Sequence, residues 1–315
     1  MTMMPRALKK IIFILLTLTL IGCGKKDTVS VFEASNIQTE EIQLVLPEIT
    51  KDYRFLYIAD LHIIVENDEV SEENTVTVND RKNLFSSAEG VSGADLWDQY
   101  VDVINSYECD AVLLGGDMID FASRANIEKL REGIEKIKHP VMYVRADHDL
   151  MPFYCEGIDE TTAKAKHCDI DGNEEIMLLE FDELCIVGIN NNTSQISASA
   201  VNRVKEIVEI GKPIILVAHV PFKSKVDESL LEKSKEAWQD RNLVWGSECL
   251  YWPDANTQQL VDMIHEEDSL FKEVLAGHLH FTWDGMLNEV THQHVFEEAC
   301  SNVIGIVHVT NSASN

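Results

Sequence analysis

The chain has 315 residues, of which 45% are hydrophobic and 25% are charged, with 7 prolines and 15 glycines. This composition excludes an intrinsically disordered protein and is typical of one large folded domain with accessory segments. The formal net charge of −28 argues against stable nucleic-acid binding, because phosphates would be repelled unless a concentrated local cation source, such as a metal site, offset the charge.

The N-terminal segment has the pattern of an export signal. Arg6, Lys9 and Lys10 precede the apolar run "IIFILLTLTLIG", which is shorter than the about 20 residues of a membrane span. The run ends in "LIGC", which resembles the lipobox of bacterial lipoproteins. We therefore expect residues 1–22 to be a lipoprotein signal peptide and a lipidated Cys23 to hold the chain at the membrane, outside the cytoplasm. An uncleaved anchor helix is the alternative. Residues 23–50 begin polar and are predicted to be a tether.

Beyond residue 50 the sequence alternates between two kinds of segment. Short apolar bursts predict strands at 53–60, 110–117, 140–147, 184–190, 213–220 and 272–280. Between them, apolar residues at three- and four-residue spacing predict helices at 95–108, 125–138, 197–210 and 257–268. This alternation predicts an α/β architecture with largely buried sheets over residues 51–315.

Polar side chains that bind metals follow five of these predicted strands. They are Asp60 and His62; Asp117 and Asp120; Asp147, His148 and Asp149; His219; and His278 and His280. Ligands of α/β proteins collect at the carboxyl ends of strands, so we expect these side chains to converge. Mixed carboxylates and imidazoles suit divalent first-row metals, and they are too many for one ion. The set therefore predicts two cations about 3.5 to 4 Å apart.

The ordered blocks "DLH", "GDMID", "ADHD", "AHV" and "GHLH" resemble the calcineurin-like metallophosphoesterase superfamily, over about three quarters of the chain. The resemblance implies a sandwich of two mainly mixed β-sheets flanked by helices, with the dinuclear site at the strand ends. It implies that Asp60, His62 and His280 bind one metal, that Asp147, His219 and His278 bind the other, and that Asp117 bridges them. It places His148 near the leaving-group oxygen, with Asp120 and Asp149 orienting histidines. Gly277 is expected to allow a close backbone approach.

The function implied is hydrolysis of a phosphomonoester or phosphodiester by a hydroxide held between two divalent ions of Mn, Zn, Ni or Fe. The substrate would be a small phosphoester molecule. Two alternatives remain: a non-catalytic cell-surface lipoprotein that keeps the fold for metal or ligand binding, and a metal-sensing protein built on the same scaffold.

Asp147 departs from the family pattern, which usually has asparagine at this position. Three carboxylates against two divalent cations leave one net positive charge, where an asparagine would leave two. Because the weaker field attracts a dianionic monoester less, we expect a shift towards diester monoanions or towards a more highly charged metal such as ferric iron.

Three segments are left open by the sequence. The acidic stretch 63–93 is either a rim over the site or a solvated loop. The segment 223–256 carries Trp238, Trp245, Tyr251 and Trp252, for which packing against the core is favoured over stacking on a substrate. "THQH" at 291–294 repeats the two-histidine spacing and is predicted to be an exposed strand or loop.

Overall fold

The computed structural model describes residues 31–32, 35–157, 159, 161–162, 170, 174–190, 195–241, 243–246 and 252–312. Within these residues the strands form two mixed sheets, as the sequence predicts. Residues 1–30, which contain the predicted signal peptide and Cys23, lie outside the described residues.

The first sheet has the strand order β1-β11-β2-β3-β4. Its strands are β1 (Gln38–Val45), β2 (Tyr53–Ile58), β3 (Ala111–Leu114), β4 (Val141–Tyr143) and β11 (Val303–Thr310). Strands β2, β3 and β4 are parallel, so their carboxyl ends lie at one edge of the sheet. β11 is antiparallel to β2 and parallel to β1.

The second sheet has the order β5-β6-β7-β8-β10-β9. Its strands are β5 (Ile176–Glu180), β6 (Cys185–Ile189), β7 (Ile214–Ala218), β8 (Phe271–Ala276), β9 (Trp283–Met286) and β10 (His292–Val295). Strands β6, β7, β8 and β10 run parallel, while β5 and β9 form antiparallel edges.

The helices lie between these strands in the chain. They are α1 (Thr75–Leu84), α2 (Gly93–Ile104), α3 (Arg124–Lys136), α4 (Asp147–Leu150), α5 (Ala198–Val208), α6 (Ser229–Ala237) and α7 (Ala255–Ile264), with short 3-10 turns at Glu72–Asn74 and Ala299–Ser301. Side chains cap four of them, since Ser92, Ser123, Ser197 and Asp254 each accept a hydrogen bond from a first-turn amide. No described helix is long and apolar enough to cross a membrane.

Burial of apolar side chains explains the layered arrangement. Phe55 of β2 and Val217 of β7 belong to a core that fills the space between the sheets. A second core joins the first sheet to α2 and α3, and a third joins the second sheet to α5 and α7. The bursts that the sequence identified as strands are thus covered on both faces.

The predicted tether 23–50 is wrong for its second half. Residues 38–45 form β1, which pairs in parallel with β11 along its whole length. The segment reads as polar because β1 is an edge strand with a largely exposed face. Its hydrogen-bonding partner lies more than 250 residues later in the chain, so local sequence gives no sign of it.

Candidate metal centre

The five predicted strand ends meet at one end of the sandwich. Strands β2, β3 and β4 of the first sheet and β7 and β8 of the second lead into the loops that carry the predicted site residues. The amide of Asp60 donates to the Gly116 carbonyl, and the amide of Gly277 donates to the His219 carbonyl. The loops after neighbouring strands are thereby tied together.

Five of the seven predicted ligands have a left-handed backbone. The φ angles are 58° at Asp60, 49° at His62, 50° at Asp117, 72° at His278 and 53° at His280. Non-glycine residues adopt this region at a cost of about 1 to 3 kcal/mol each, and such residues cluster at functional sites. The surrounding hydrogen bonds hold the strain, for example the bond of 2.9 Å from the His278 amide to Asp60 Oδ2.

The ligand atoms form three groups, each with all atoms within 4.8 Å of one another. The groups are Asp60, His62 and His280; Asp117, His219 and His278; and His62, Asp117 and His148. In the first, His280 Nε2 lies 3.2 Å from Asp60 Oδ1. In the second, His219 Nε2 lies 3.3 Å from Asp117 Oδ2. Asp117 is also 3.9 Å from His62 Nε2, which is a position from which one carboxylate can serve two cations.

His148 and Asp147 differ in part from the expected arrangement. His148 joins a three-residue group with His62 and Asp117, while Asp147 belongs to none of the three groups. Asp147 remains near enough to Asp117 to be affected by it: burial, and then the Asp117 carboxylate, raise the pKa of Asp147. The assignment of Asp147 as a ligand beside His219 and His278 stays a prediction.

The electrostatics of these groups favour a positive charge between the carboxylates. Burial alone would lower the pKa of His219, but the carboxylates of Asp117 and Asp60 raise it to about 10. Burial and the neighbouring His219 lower the pKa of His278 to about 3, so its imidazole is neutral near pH 7. Asp117 Oδ1 is buried without a hydrogen-bond donor among the described residues. A nitrogen and oxygen donor set of this kind fits divalent first-row cations.

Asp120 contacts His62, the position expected of a residue that orients it, and is itself held by a residue that the sequence analysis did not identify. His62 Nδ1 lies 3.0 Å from Asp120 Oδ1. The guanidinium of Arg81 on α1 donates to both oxygens of Asp120, at 2.6 Å each. Burial would raise the pKa of Asp120, but Arg81 and His62 lower it to about 2. A carboxylate fixed in this way orients a metal-binding histidine and raises its basicity.

Phe85 covers one face of the His62 ring. The two rings stack with centroids 3.9 Å apart, and Arg81 lies over the Phe85 ring at 4.9 Å. Arg81 and Phe85 are four residues apart, one turn along α1 and its C-terminal end. Within segment 63–93, Arg81 and Phe85 lie at the rim of the site, as the first of the two interpretations expects, and their four-residue spacing in "RKNLF" is the signal in the sequence.

Asp149 has a different role from the predicted one of orienting a histidine. Its carboxylate accepts hydrogen bonds from the backbone amides of Asp117, Ile119 and Ala146, at 2.9, 3.1 and 2.8 Å. It therefore ties the loop after β3 to the loop after β4. This holds Asp117 in its left-handed conformation.

His148 is fixed by a backbone contact. Its Nδ1 donates to the Asp120 carbonyl at 2.6 Å, which leaves Nε2 as the ring atom available to a ligand. The Phe153 ring, which is 46% exposed, lies edge-on to His148 with centroids 5.2 Å apart.

The tryptophans of segment 223–256 differ in their surroundings: one is packed in the core, one lies beside the metal centre, and one is exposed. Trp245 is buried and packs against Phe222. Trp238 lies edge-on to His280 at 5.8 Å and donates its indole N–H to the Leu279 carbonyl. Trp252 is exposed, and Tyr251 lies outside the described residues.

Gly277 is required by the close approach that the sequence predicts. A methyl group at this position would lie 2.3 Å from Asp60 Oδ2, well inside contact distance. The variant Gly277→Ala should displace Asp60 and lower the affinity for divalent cations by about 100-fold, as ligand displacements of this size do for catalytic groups. Isothermal titration of the metal-free chain measures this, with Gly211→Ala as the control, because a Cβ there meets open space and the strain from its φ of 78° arises before β7, at the other end of the strand from His219. Equal affinities in the two variants would contradict the assignment of Gly277.

Comparisons with known proteins show the family and the fold. The sequence model of the calcineurin-like phosphoesterase family matches residues 53–281. No curated protein sequence is similar enough to count as a match. Among solved structures, a dimetal phosphatase from Danio rerio is similar, with 12% identity and a TM-score of 0.50 over 79% of this chain and 88% of that chain. A purple acid phosphatase from yellow lupin (Lupinus luteus) seeds has 10% identity and a TM-score of 0.47, over 79% and 44% of the two chains. At 12% identity, the likeness to the Danio rerio phosphatase is one of fold.

Proposed function

This chain belongs to the calcineurin-like phosphoesterase family, and from that premise we propose that it hydrolyses small phosphoester molecules with the help of two divalent cations. The observation that carries the proposal is the position of Asp117. Its carboxylate belongs to the group with His219 and His278, and it also lies 3.9 Å from Nε2 of His62, which belongs to the group with Asp60 and His280. A shared carboxylate between two sets of imidazoles is the arrangement that a two-cation site requires.

The residues of the chain have separate tasks in this proposal. Asp60, His62 and His280 would hold one cation, while Asp117, His219 and His278 would hold the other, with Asp147 as a further ligand. When bound, such cations lower the pKa of water and neutralise phosphoryl oxygens. His148 is fixed through Nδ1 on the Asp120 carbonyl, so its Nε2 can hold a proton for the leaving oxygen. General acids of this kind contribute about 10² to 10⁴ in rate.

Turnover of model substrates tests the proposal. The chain should be freed of metal with a chelator, loaded in turn with Mn, Zn, Ni or Fe, and assayed with p-nitrophenyl phosphate and bis-p-nitrophenyl phosphate. We expect hydrolysis of at least one ester, and its loss on chelation. No turnover of either ester with any of the four metals would contradict the proposal and favour the non-catalytic binding role.

The charge of Asp147 predicts a preference among esters. Replacing it with asparagine removes one negative charge and keeps an oxygen that can bind a cation. The Asp147→Asn variant should therefore raise the ratio of monoester to diester kcat/KM. The ratio rises about tenfold for each 1.4 kcal/mol by which the substitution stabilises the transition state of the dianionic monoester more than that of the diester. The two p-nitrophenyl esters measure the ratio, with the exposed Asp98→Asn as the control. A ratio that stays constant or falls would contradict the electrostatic explanation.

We also propose that lipidated Cys23 anchors the enzyme to the outer side of a bacterial cytoplasmic membrane. The proposal rests on the "LIGC" sequence after the apolar run. Expression in a bacterium that processes lipoproteins should place the chain in the membrane fraction, and Cys23→Ser should release it or leave its signal uncleaved. An unmodified Cys23 in the mass spectrum of the wild-type chain would contradict the proposal.

A further inference from the structure

In the part of the chain that the structure describes, three aromatic side chains lie against imidazoles of the metal centre. Phe85 and Trp238 both lie beside His280, with ring centroids 5.9 and 5.8 Å away, and they are buried and half-buried. Phe153 lies beside His148 at 5.2 Å and is 46% exposed. Phe153 is therefore the one of the three whose ring a ligand can cover to a large extent.

The turn that carries Phe153 is fixed by backbone hydrogen bonds. The Cys155 amide donates to the Pro152 carbonyl at 2.7 Å, which closes a four-residue turn around Phe153. The next carbonyl, that of Tyr154, accepts a hydrogen bond of 3.1 Å from the Ser71 amide. The exposed ring is thus held in place by its backbone and does not belong to a loose segment.

The turn contains a second aromatic residue with different surroundings. Tyr154 packs against Phe121, with ring centroids 5.4 Å apart, and joins a small core that includes Ile64. The chain therefore places one aromatic side chain of the turn in the core and leaves the preceding one, Phe153, in solvent beside His148. Exposure of so large an apolar ring has a free-energy cost that binding of an apolar ligand would remove.

His148 links the Phe153 ring to the proposed reaction. Its Nδ1 donates to the Asp120 carbonyl, so Nε2 is the atom that can give a proton to the leaving oxygen. A leaving oxygen within about 3 Å of Nε2 brings the departing alcohol within reach of the Phe153 ring, because aromatic pairs interact at centroid separations of about 4.5 to 7 Å. Phe153 therefore lies where the alcohol part of a substrate would bind.

The electrostatics of the chain favour an uncharged alcohol. The formal net charge of −28 repels any further anionic group on a substrate. The guanidinium of Arg81 is already paired with both oxygens of Asp120. Phe153 itself offers an apolar ring face and no hydrogen-bonding group. A flat, uncharged group on the alcohol is the chemistry that matches this surface.

We propose that Phe153 determines the leaving-group specificity of the enzyme, an inference that rests on the proposed function. The preferred substrates are phosphate esters whose alcohol carries a flat aromatic group, and this group packs on the Phe153 ring while His148 Nε2 holds the proton for the leaving oxygen. Two kinds of alcohol have this chemistry. In a phenol the ring is bonded to the ester oxygen, and in a nucleoside a sugar separates the two.

Esters with and without an aromatic ring test the proposal. The substrates are 2-naphthyl phosphate, adenosine 5′-phosphate and glycerol 3-phosphate, each also supplied as its methyl diester, with whichever metal supports turnover. Phe153→Ala should lower kcat/KM about 10-fold more for at least one ring-bearing ester than for the glycerol ester. A larger effect on the naphthyl ester identifies a phenol as the alcohol, and a larger effect on the adenosine ester identifies a nucleoside.

Further variants separate ring stacking from packing against His148. Phe153→Tyr keeps the ring face and should keep the preference, whereas Phe153→Leu should lose it. Ile210→Ala is the matched control, because Ile210 is also an exposed apolar residue, at 38%, but precedes β7 and lies at the other end of that strand from His219. This control should keep wild-type kinetics. An equal fall for all esters in Phe153→Ala would overturn the proposal and show that Phe153 only packs against His148.

A binding measurement distinguishes failure of this proposal from failure of the proposed function. Saturation-transfer NMR of the metal-free chain with 2-naphthol, adenosine and glycerol, the free alcohols, needs no turnover. The ring protons of 2-naphthol or adenosine should give a stronger signal with the wild type than with Phe153→Ala, and glycerol should give none with either. Equal ring-proton signals in the two chains would overturn the role of Phe153 alone. Absence of turnover with every ester and metal would contradict the proposed function and this inference with it.

Discussion

Replacing Asp117 with asparagine should lower kcat/KM for a phosphoester by at least about 10³-fold, which corresponds to about 4 kcal/mol of transition-state stabilisation. Asp117 is grouped with His219 and His278 and lies 3.9 Å from His62 of the other ligand set, so the loss of its charge should weaken both cation positions together. Asparagine keeps the size of the side chain and tolerates the φ of 50° at this position. The variant therefore removes the charge of Asp117 without changing the size of the side chain or the backbone conformation.

The measurement combines steady-state kinetics with metal content for the same preparation. Asp110→Asn is the matched control, because Asp110 precedes β3 whereas Asp117 follows it, and Asp110 lies at the other end of the same strand. We expect the control to retain wild-type kinetics. Metal content and kcat/KM both unchanged in Asp117→Asn would show that the carboxylate does not hold the cations.

Removal of Arg81 should weaken the cation held by His62 without unfolding the chain. Arg81 fixes both oxygens of Asp120, and Asp120 orients His62. Loss of such an orienting contact typically lowers metal affinity by 10- to 100-fold, and we expect Arg81→Ala to fall in this range. Arg81→Lys should recover only part of the affinity, because an ammonium group cannot make the paired contact of a guanidinium.

Isothermal titration with Mn²⁺ and thermal unfolding of the metal-free chain separate positioning from stability. The metal-free Tm of Arg81→Ala should fall below that of the Arg124→Ala control, because it leaves the buried Asp120 carboxylate without its guanidinium, whereas Arg124 is exposed beside Glu69. Arg81→Lys keeps the charge and should have a Tm closer to that of the control. If the Arg81 variants bind Mn²⁺ as the wild type does, or if affinity falls only in step with Tm, Arg81 is not a positioning residue.

The strands and the ligands at their ends could be predicted from the sequence because both depend on local patterns. A buried parallel strand needs a continuous apolar run, and Asp60, Asp117 and His219 each follow such a run. The convergence of the strand ends follows from the architecture. The division of the ligands between two cations came from the family resemblance, and the structure groups Asp60 with His62 and His280 in the same way.

Features that depend on distant contacts could not be predicted. β1 reads as polar because only its pairing with β11 gives it a place in the sheet. Arg81 lies in an acidic segment, and its place at the site depends on its contact with Asp120, 39 residues later in the chain. The segment "THQH", predicted to be an exposed strand or loop, contains the start of β10, where His294 is 4% exposed and contacts Glu40 and Asp284 from two other strands. In each case the partner is defined by the fold and not by neighbouring residues.

We propose that side chains from five strand ends surround a pair of cations, and anomalous diffraction from crystals of the manganese-loaded chain can locate them. We expect two anomalous peaks about 3.5 to 4 Å apart, with Asp117 between them, His219 and His278 beside one, and His62 and His280 beside the other. A single peak at this site, or no peak within bonding distance of Asp117, would contradict it.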